Sequence, residues 1–296
     1  MADRNNALKR EQDIIVDLIS TKGPATGLEI KKEIDRDGVL VWRACKTSAS
    51  LQVRTVGKRY LRLDRHVEGF ARLSPSILRE FFTYSVVGLT GDPDPLESRC
   101  REVAGKIQEI SESKFGLARQ MVSEIMEELD GEASRDRRIC FILAGDVVYN
   151  MAHDVPRPER STGKLVKGSD IDLVVVVDDA VAETSIKRLD ELIYKKKYRM
   201  LTSPAVNEEV DYKIKRLGRV RDQAQFDDFK RMVAVKILHE GVLLYGSEVL
   251  FYTVKNIIEE NGLPEKLNEL EELARRFRNK AEESILHNLL NEEELK

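Results

Sequence analysis

Gly168-Ser169-Asp170-Ile171-Asp172-Leu173-Val174-Val175-Val176-Val177 is the stretch whose reading decides the fold. From Asp172 to Val177 it is a continuous, valine-dominated apolar run, the composition of a strand covered on both faces. Such a strand belongs inside a sheet with helices packed against it. Where the run begins, two carboxylates stand two residues apart, and side chains at i and i+2 project from the same face of a strand. Carboxylates held that close on a dry scaffold repel each other, and a divalent cation relieves the conflict.

Working outward, Ile139 to Ala144 reads as a short buried strand that stops at Gly145. Ala180 to Lys195 reads as a helix. Glu209 to Leu217 alternates apolar Val210, Tyr212 and Ile214 with polar Asp211, Lys213 and Lys215, the pattern of a half-buried strand. Phe226 to His239 is again helical in pattern. The alternation predicts an α/β (α+β) domain with a mixed sheet flanked by helices. Asp211 is a third acid on a polar strand face. If its strand lies beside that of Asp170 and Asp172, the three carboxylates form one site for Mg2+ or Mn2+ and support two-metal phosphoryl chemistry. On the residues alone, the Asp-x-Asp pair is also readable as a solvated strand start with an Asx turn, and Asp211 as an ordinary wet-face residue.

Residues 139–253 resemble the nucleotidyltransferase superfamily that includes DNA polymerase β, the CCA-adding enzymes, kanamycin nucleotidyltransferase and the small antitoxin-type nucleotidyltransferases. The resemblance is carried, in order, by Phe141-Ile142-Leu143-Ala144-Gly145-Asp146, Ser169-Asp170-Ile171-Asp172-Leu173, Val210-Asp211-Tyr212-Lys213-Ile214, and the closing segment from Ile237 to Gly246. It implies the nucleotidyltransferase fold and transfer of NMP from an NTP to an acceptor hydroxyl, with release of pyrophosphate. Asp170, Asp172 and Asp211 would then be the catalytic metal ligands. Gly145, Asp146, Gly168 and Ser169 would lie against the nucleotide. The alternatives are a non-enzymatic, nucleotide-sensing DNA-binding regulator with a degenerate transferase domain, and a protein-modifying transferase of the antitoxin type.

Two features depart from the family pattern. The Gly-Ser turn that grips the triphosphate is Gly145-Asp146 here, and an aspartate repels phosphate unless it binds metal or turns away. The 23 residues from Val147 to Ser169 also exceed the usual spacing. That loop carries Arg157, Arg160, Lys164 and Lys167. These cations either take over triphosphate binding, with Lys164 and Lys167 as point charges, or form a solvated basic loop. Ser161-Thr162-Gly163-Lys164 lacks the first glycine of a P-loop.

Residues 1–90 read as helix, helix, helix and a basic hairpin, the order of a winged helix-turn-helix. Leu8, Ile14, Ile15, Leu18 and Ile19 form a helical stripe that stops at Gly23-Pro24. Thr26-Gly27-Leu28-Glu29 opens a second helix, and a third runs from about Leu40 to Leu51. Strands at Gln52 to Val56 and Tyr60 to Leu63 meet around Gly57-Lys58. Arg43 and Lys46 fall on the recognition helix, Lys58 and Arg59 at the wing tip, and Arg54 between them, a patch suited to phosphate contacts. Winged helices also dock proteins, and Trp42, Tyr60 and Phe70 are readable as core. Phe81-Phe82-Thr83-Tyr84 is expected to pack between this module and the next.

The turn-rich Gly91 to Pro95 separates that module from a long amphipathic segment, Leu96 to Leu129, for which Gly131 is a candidate C-cap. The expected domains are 1–90, 91–253 with the leading helix, and a helical tail, 254–296. Net charge is −3, so any attraction to nucleic acid is local. Cys45, Cys100 and Cys140 have no metal-binding spacing and fit a reducing compartment. Cys140 reads as inert core, and His239 as a helix-end cation suited to the dipole. The polar first twelve residues lack the apolar core of a signal peptide, and the longest apolar run, Ile171 to Val177, is too short to span a bilayer. The expectation is a cytoplasmic protein without a membrane partner.

Overall fold

A computed structural model describes residues 2–129, 138–159 and 163–287. The chain is a mixed α/β protein with two compact units, the described residues of Met1–Lys106 with Leu270–Lys296, and those of Ile107–Glu269. Neither limit falls where the sequence pattern placed it. The Gly91 to Pro95 turn runs at once into the helix Pro93–Glu128, whose Leu96 and Cys100 pack on Val86 within the first unit. Gly116 does not interrupt that helix. Gly131, Arg160 and the Ser161-Thr162 pair lie outside the described residues.

In the first unit, the helices Ala2–Lys22, Gly27–Ile34 and Gly38–Thr47 surround a three-stranded sheet. Thr26 and Glu29 form a capping box at the start of the second helix, and Asp37 caps the third by accepting from Val39 N–H and Leu40 N–H. The strands are β1 (Ala25–Thr26), β2 (Leu51–Thr55), β3 (Tyr60–Leu63), β4 (Ala71–Ser74) and β5 (Ser85–Leu89). Their pairing corrects the expected β2–β3 hairpin. Val86 and Val87 are both fully buried, so β5 is an interior strand that needs a neighbour on each side. It takes β1 and β2, in the order β1-β5-β2, while β3 pairs with β4.

Phe81, on the helix Ile77–Tyr84, fills this unit's core with Ile15, Ile30, Trp42, Ala281 and Ile285. That corrects its expected place between modules. Of the aromatics readable as core, Tyr60 is buried, whereas Phe70 is 36% exposed. Gly27 permits the packing, since a Cβ there would lie 2.4 Å from the Phe81 carbonyl oxygen. The second half of the helix Leu263–Leu286 belongs here too, not to a separate tail. Arg278 pairs with Glu80 at 3.2 Å and with Glu282 at 2.6 Å, and donates to the Pro75 carbonyl at 2.8 Å.

The second unit is built on a four-stranded sheet. Its strands are β6 (Ile139–Ala144), β9 (Ile171–Val177), β10 (Val210–Arg216) and β11 (Val242–Gly246), in the order β10-β9-β6-β11. Between β6 and β9 lies a small ribbon of β7 (Arg157–Pro158) and β8 (Leu165–Val166). One sheet face presents Phe141, Leu143, Leu173 and Val175 to Met121, Val122 and Ile125 and to Leu189, Leu192 and Ile193 of the helix Glu183–Thr202. Each such fully buried side chain contributes about 1.5–3 kcal/mol. The other face is covered around β6 and β9 by the helices Phe229–Glu240 and Glu248–Glu260. Lys114 and Glu208 form a buried ion pair, and the Lys114 ammonium also donates to the Lys167 carbonyl at 3.1 Å. This one lysine thereby fixes the approaches to both β9 and β10. Among the described residues no helix is long and apolar enough to cross a membrane.

Candidate functional site

Strand direction brings the acids together. β9 and β10 are parallel, so their first residues share one end of the sheet, and antiparallel β6 delivers its last residue to that same end. Asp211 is registered against Asp172, and Asp172 against Ala144. Period-two alternation then puts Asp170 and Asp172 on one face, with Glu209 and Asp211 beside them. Carboxylate oxygens of Asp170, Glu209 and Asp211 all lie within 4.8 Å of one another. Glu209 is the member the sequence reading missed. Its signal was present, since Glu209-x-Asp211 repeats the spacing of Asp170-x-Asp172.

Asp172 sits at the floor of this group, with a little exposed surface and protein on most sides. Its carboxyl is pushed well above the usual range, first by burial and then by Asp170, Asp146, Asp211 and Glu240. Gly145 is required against it. It adopts φ +74°, and a Cβ there would lie 2.2 Å from Asp172 Oδ2.

The Gly145 N–H donates to Glu240 Oε1 at 3.3 Å. Glu240 also accepts from the Tyr149 hydroxyl at 2.7 Å and pairs with Lys236. Lys255 holds this turn by donating to the carbonyls of Leu238, His239 and Gly241 at 2.8, 2.6 and 2.7 Å. The helix-end cation is therefore Lys255. Burial and the neighbouring Lys255 push the His239 imidazole down. Cys140 is core, its thiol raised to about 12 by burial.

Asp146 turns toward protein. It accepts from the Ser169 hydroxyl at 2.7 Å, and that hydroxyl accepts from His153 N–H at 3.2 Å. Ser169 is buried and its N–H donates to the His153 carbonyl. Gly168, at φ +46°, has no room for a Cβ because the same carbonyl would lie 1.8 Å away. Gly168 and Ser169 thus shape the loop and orient Asp146.

From the loop, Arg157 reaches the acids. Its Nη1 lies 2.8 Å from Glu209 and its Nη2 3.4 Å from Asp170, while Nε donates to the Gly168 carbonyl at 2.6 Å. Lys164 and Lys167 are exposed and lie apart from the cleft beside the acids. That cleft, about 750 Å3, is lined by Asp172, Asp211, Tyr212 and three other lysines, Lys187, Lys197 and Lys213. Lys197 lies 3.4 Å from Asp211.

Six carboxylates (Asp146, Asp170, Asp172, Glu209, Asp211, Glu240) therefore gather at this end of the sheet, with Arg157, Lys197 and Lys236 in ion pairs with them. The close carboxylates, the all-oxygen donor set and the upward push on Asp172 fit a hard divalent ion.

Among the proposed nucleic-acid residues, Arg59 is committed to acids: it binds Glu80 through two hydrogen bonds, at 2.5 and 2.6 Å, and Glu282 at 3.0 Å. Arg54 pairs with Glu97 at 3.1 Å. Lys46 and Lys58 are exposed, and Arg43 is half-buried.

No protein-family model, no curated protein and no solved structure matches this chain.

Proposed function

We propose that the Ile107–Glu269 unit is a metal-dependent nucleotidyltransferase domain that moves an NMP from an NTP to an acceptor hydroxyl and releases pyrophosphate. One observation carries this reading: Asp172 and Asp211 stand side by side on parallel strands, with the Gly145 turn against Asp172 at the same sheet end. Asp170, Asp172 and Asp211, joined by Glu209, are the residues that would hold Mg2+ or Mn2+. Such an ion, when bound, neutralises phosphate charge and acidifies the acceptor hydroxyl.

The remaining roles belong to the chain. Asp211, the most open of the four acids at 56% side-chain exposure, faces the cleft and accepts the acceptor proton. The acceptor oxygen forms its bond to the α-phosphorus as the bond to the bridging oxygen breaks, and pyrophosphate leaves with that electron pair. Lys187, Lys197 and Lys213 give the cleft a positive wall for phosphate groups. Positioning and charge stabilisation provide most of the acceleration.

The first unit supports a winged-helix reading through its three helices and the strand order β1-β5-β2, with the segment between β2 and β5 as an elaborated wing. Arg43 and Lys46 on the third helix are its nucleic-acid contacts.

A specific observation favours a second reading, a nucleotide-sensing regulator without turnover. Glu240 takes the Gly145 N–H, a donor that a triphosphate-gripping turn would offer to phosphate. Incubation of the full chain with each α-labelled NTP, Mg2+ and candidate acceptors separates the two. The transferase moves label onto an acceptor, and a sensor binds NTP and moves none.

A further inference from the structure

We propose that the exposed side of the helix Glu183–Thr202, beside the cleft, is a binding surface for single-stranded nucleic acid. This deepens the transferase reading by naming its acceptor class, and rests on that reading only in this respect. The helix gives Lys187, Asp190 and Lys197 to the cleft wall, at positions i, i+3 and i+10. Tyr194, at i+7, falls on the same stripe, close enough to add to the upward push on the Tyr212 hydroxyl. Tyr194 and Tyr198 are 61% and 57% exposed, two large rings in water one turn apart.

The helix carries six Lys/Arg against three acids, and the two acids one turn before Tyr194 are engaged: Asp190 accepts from the Tyr212 hydroxyl at 2.8 Å, and Glu191 lies 3.6 Å from Arg188. Lys195, Lys196 and Lys197 are paired with acids. Lys187 and Lys213 have no ion pair among the described residues, although both line the cleft. Open cations next to open aromatic rings match a polyanion with planar bases, because phosphates meet the ammonium groups while bases stack on the rings. An acidic peptide would satisfy the lysines and leave the rings wet. A single base stacks on one ring, whereas a strand offers successive bases to two rings one helical turn apart. A strand running past them would bring its terminal hydroxyl toward Asp211.

The test uses the full chain and a fluorescent single-stranded oligonucleotide of about 15 residues, RNA and DNA in turn, read by anisotropy without NTP. Alanine at both Tyr194 and Tyr198 weakens binding by at least about 30-fold, while Tyr194→Phe with Tyr198→Phe stays within about twofold of wild type because the stacking face is kept. Lys187→Ala with Lys213→Ala weakens binding and lowers the salt slope by roughly 1.4. The inference is overturned if no oligonucleotide binds, if the alanine pair binds as wild type does, if an acidic peptide competes equally well, or if Arg43→Ala with Lys46→Ala alone abolishes binding. Pyrophosphate release is scored separately. If it is absent while tyrosine-dependent binding persists, the transferase reading fails and the binding surface stands.

Discussion

Asp211 stands directly opposite Asp172 across the parallel β9–β10 ladder, so two strands 39 residues apart in the chain present acids to one point. The repulsion built into this pair has consequences for stability as well as chemistry. Because the Asp172 carboxyl is raised in the folded state, its contribution is present in full below the ordinary carboxylate range near 3.9 and is lost as pH climbs toward the raised value. Asp172→Asn keeps the shape and removes the charge. It raises the melting temperature at pH 7.5 without metal, and the gain shrinks as pH falls to about 4. Thermal scans across that range check the sign; a variant less stable than wild type at pH 7.5 contradicts it.

Glu209 adds a fourth oxygen donor beside Asp170 and Asp211. Glu209→Gln weakens Mg2+ binding by about 10- to 100-fold, measured by calorimetry, and also frees one side of Arg157. An unchanged Mg2+ affinity removes Glu209 from the site.

Gly145 has both a left-handed backbone and no space for a Cβ. Gly145→Ala therefore costs about 1–2 kcal/mol of stability and pushes the turn away from Asp172. Denaturant unfolding with a pyrophosphate assay on the same samples detects both effects. A variant as stable and active as wild type excludes this role for the turn.

Arg278 and Glu80 are only 5% and 7% side-chain exposed; Glu80 keeps Arg59 as a second partner, whereas the Pro75 carbonyl and Glu282 lose a donor without Arg278. Arg278→Ala destabilises the first unit by about 1–3 kcal/mol, whereas Arg276→Ala, on the same helix, has little effect. Circular-dichroism melts of the two variants test the contrast.

Much of the site was readable in the sequence because it depends on local pattern. The valine run identified β9, the alternation from Val210 identified β10, and Ile139 to Ala144 identified β6. Parity along the strands then placed three acids on one face. What escaped was set by distant partners. β5 was missed because its identity lies in taking β1 and β2 as neighbours, and Arg59 was taken for a phosphate contact because its partners Glu80 and Glu282 are far away in sequence. The role of Ser169 likewise depends on Asp146, across a long loop. Glu209 was legible in principle, but the alternation had marked it only as a strand start.

The most direct measurement is pyrophosphate release by the full chain with ATP, GTP, CTP and UTP in turn, with Mg2+ and an oligonucleotide acceptor, compared with Asp172→Asn. The account predicts release by wild type with at least one NTP and a fall of at least about 1,000-fold in the variant, the scale of losing a major source of charge stabilisation. Equal release by the two proteins, or tight Mg·NTP binding with no release from wild type under any nucleotide, contradicts it.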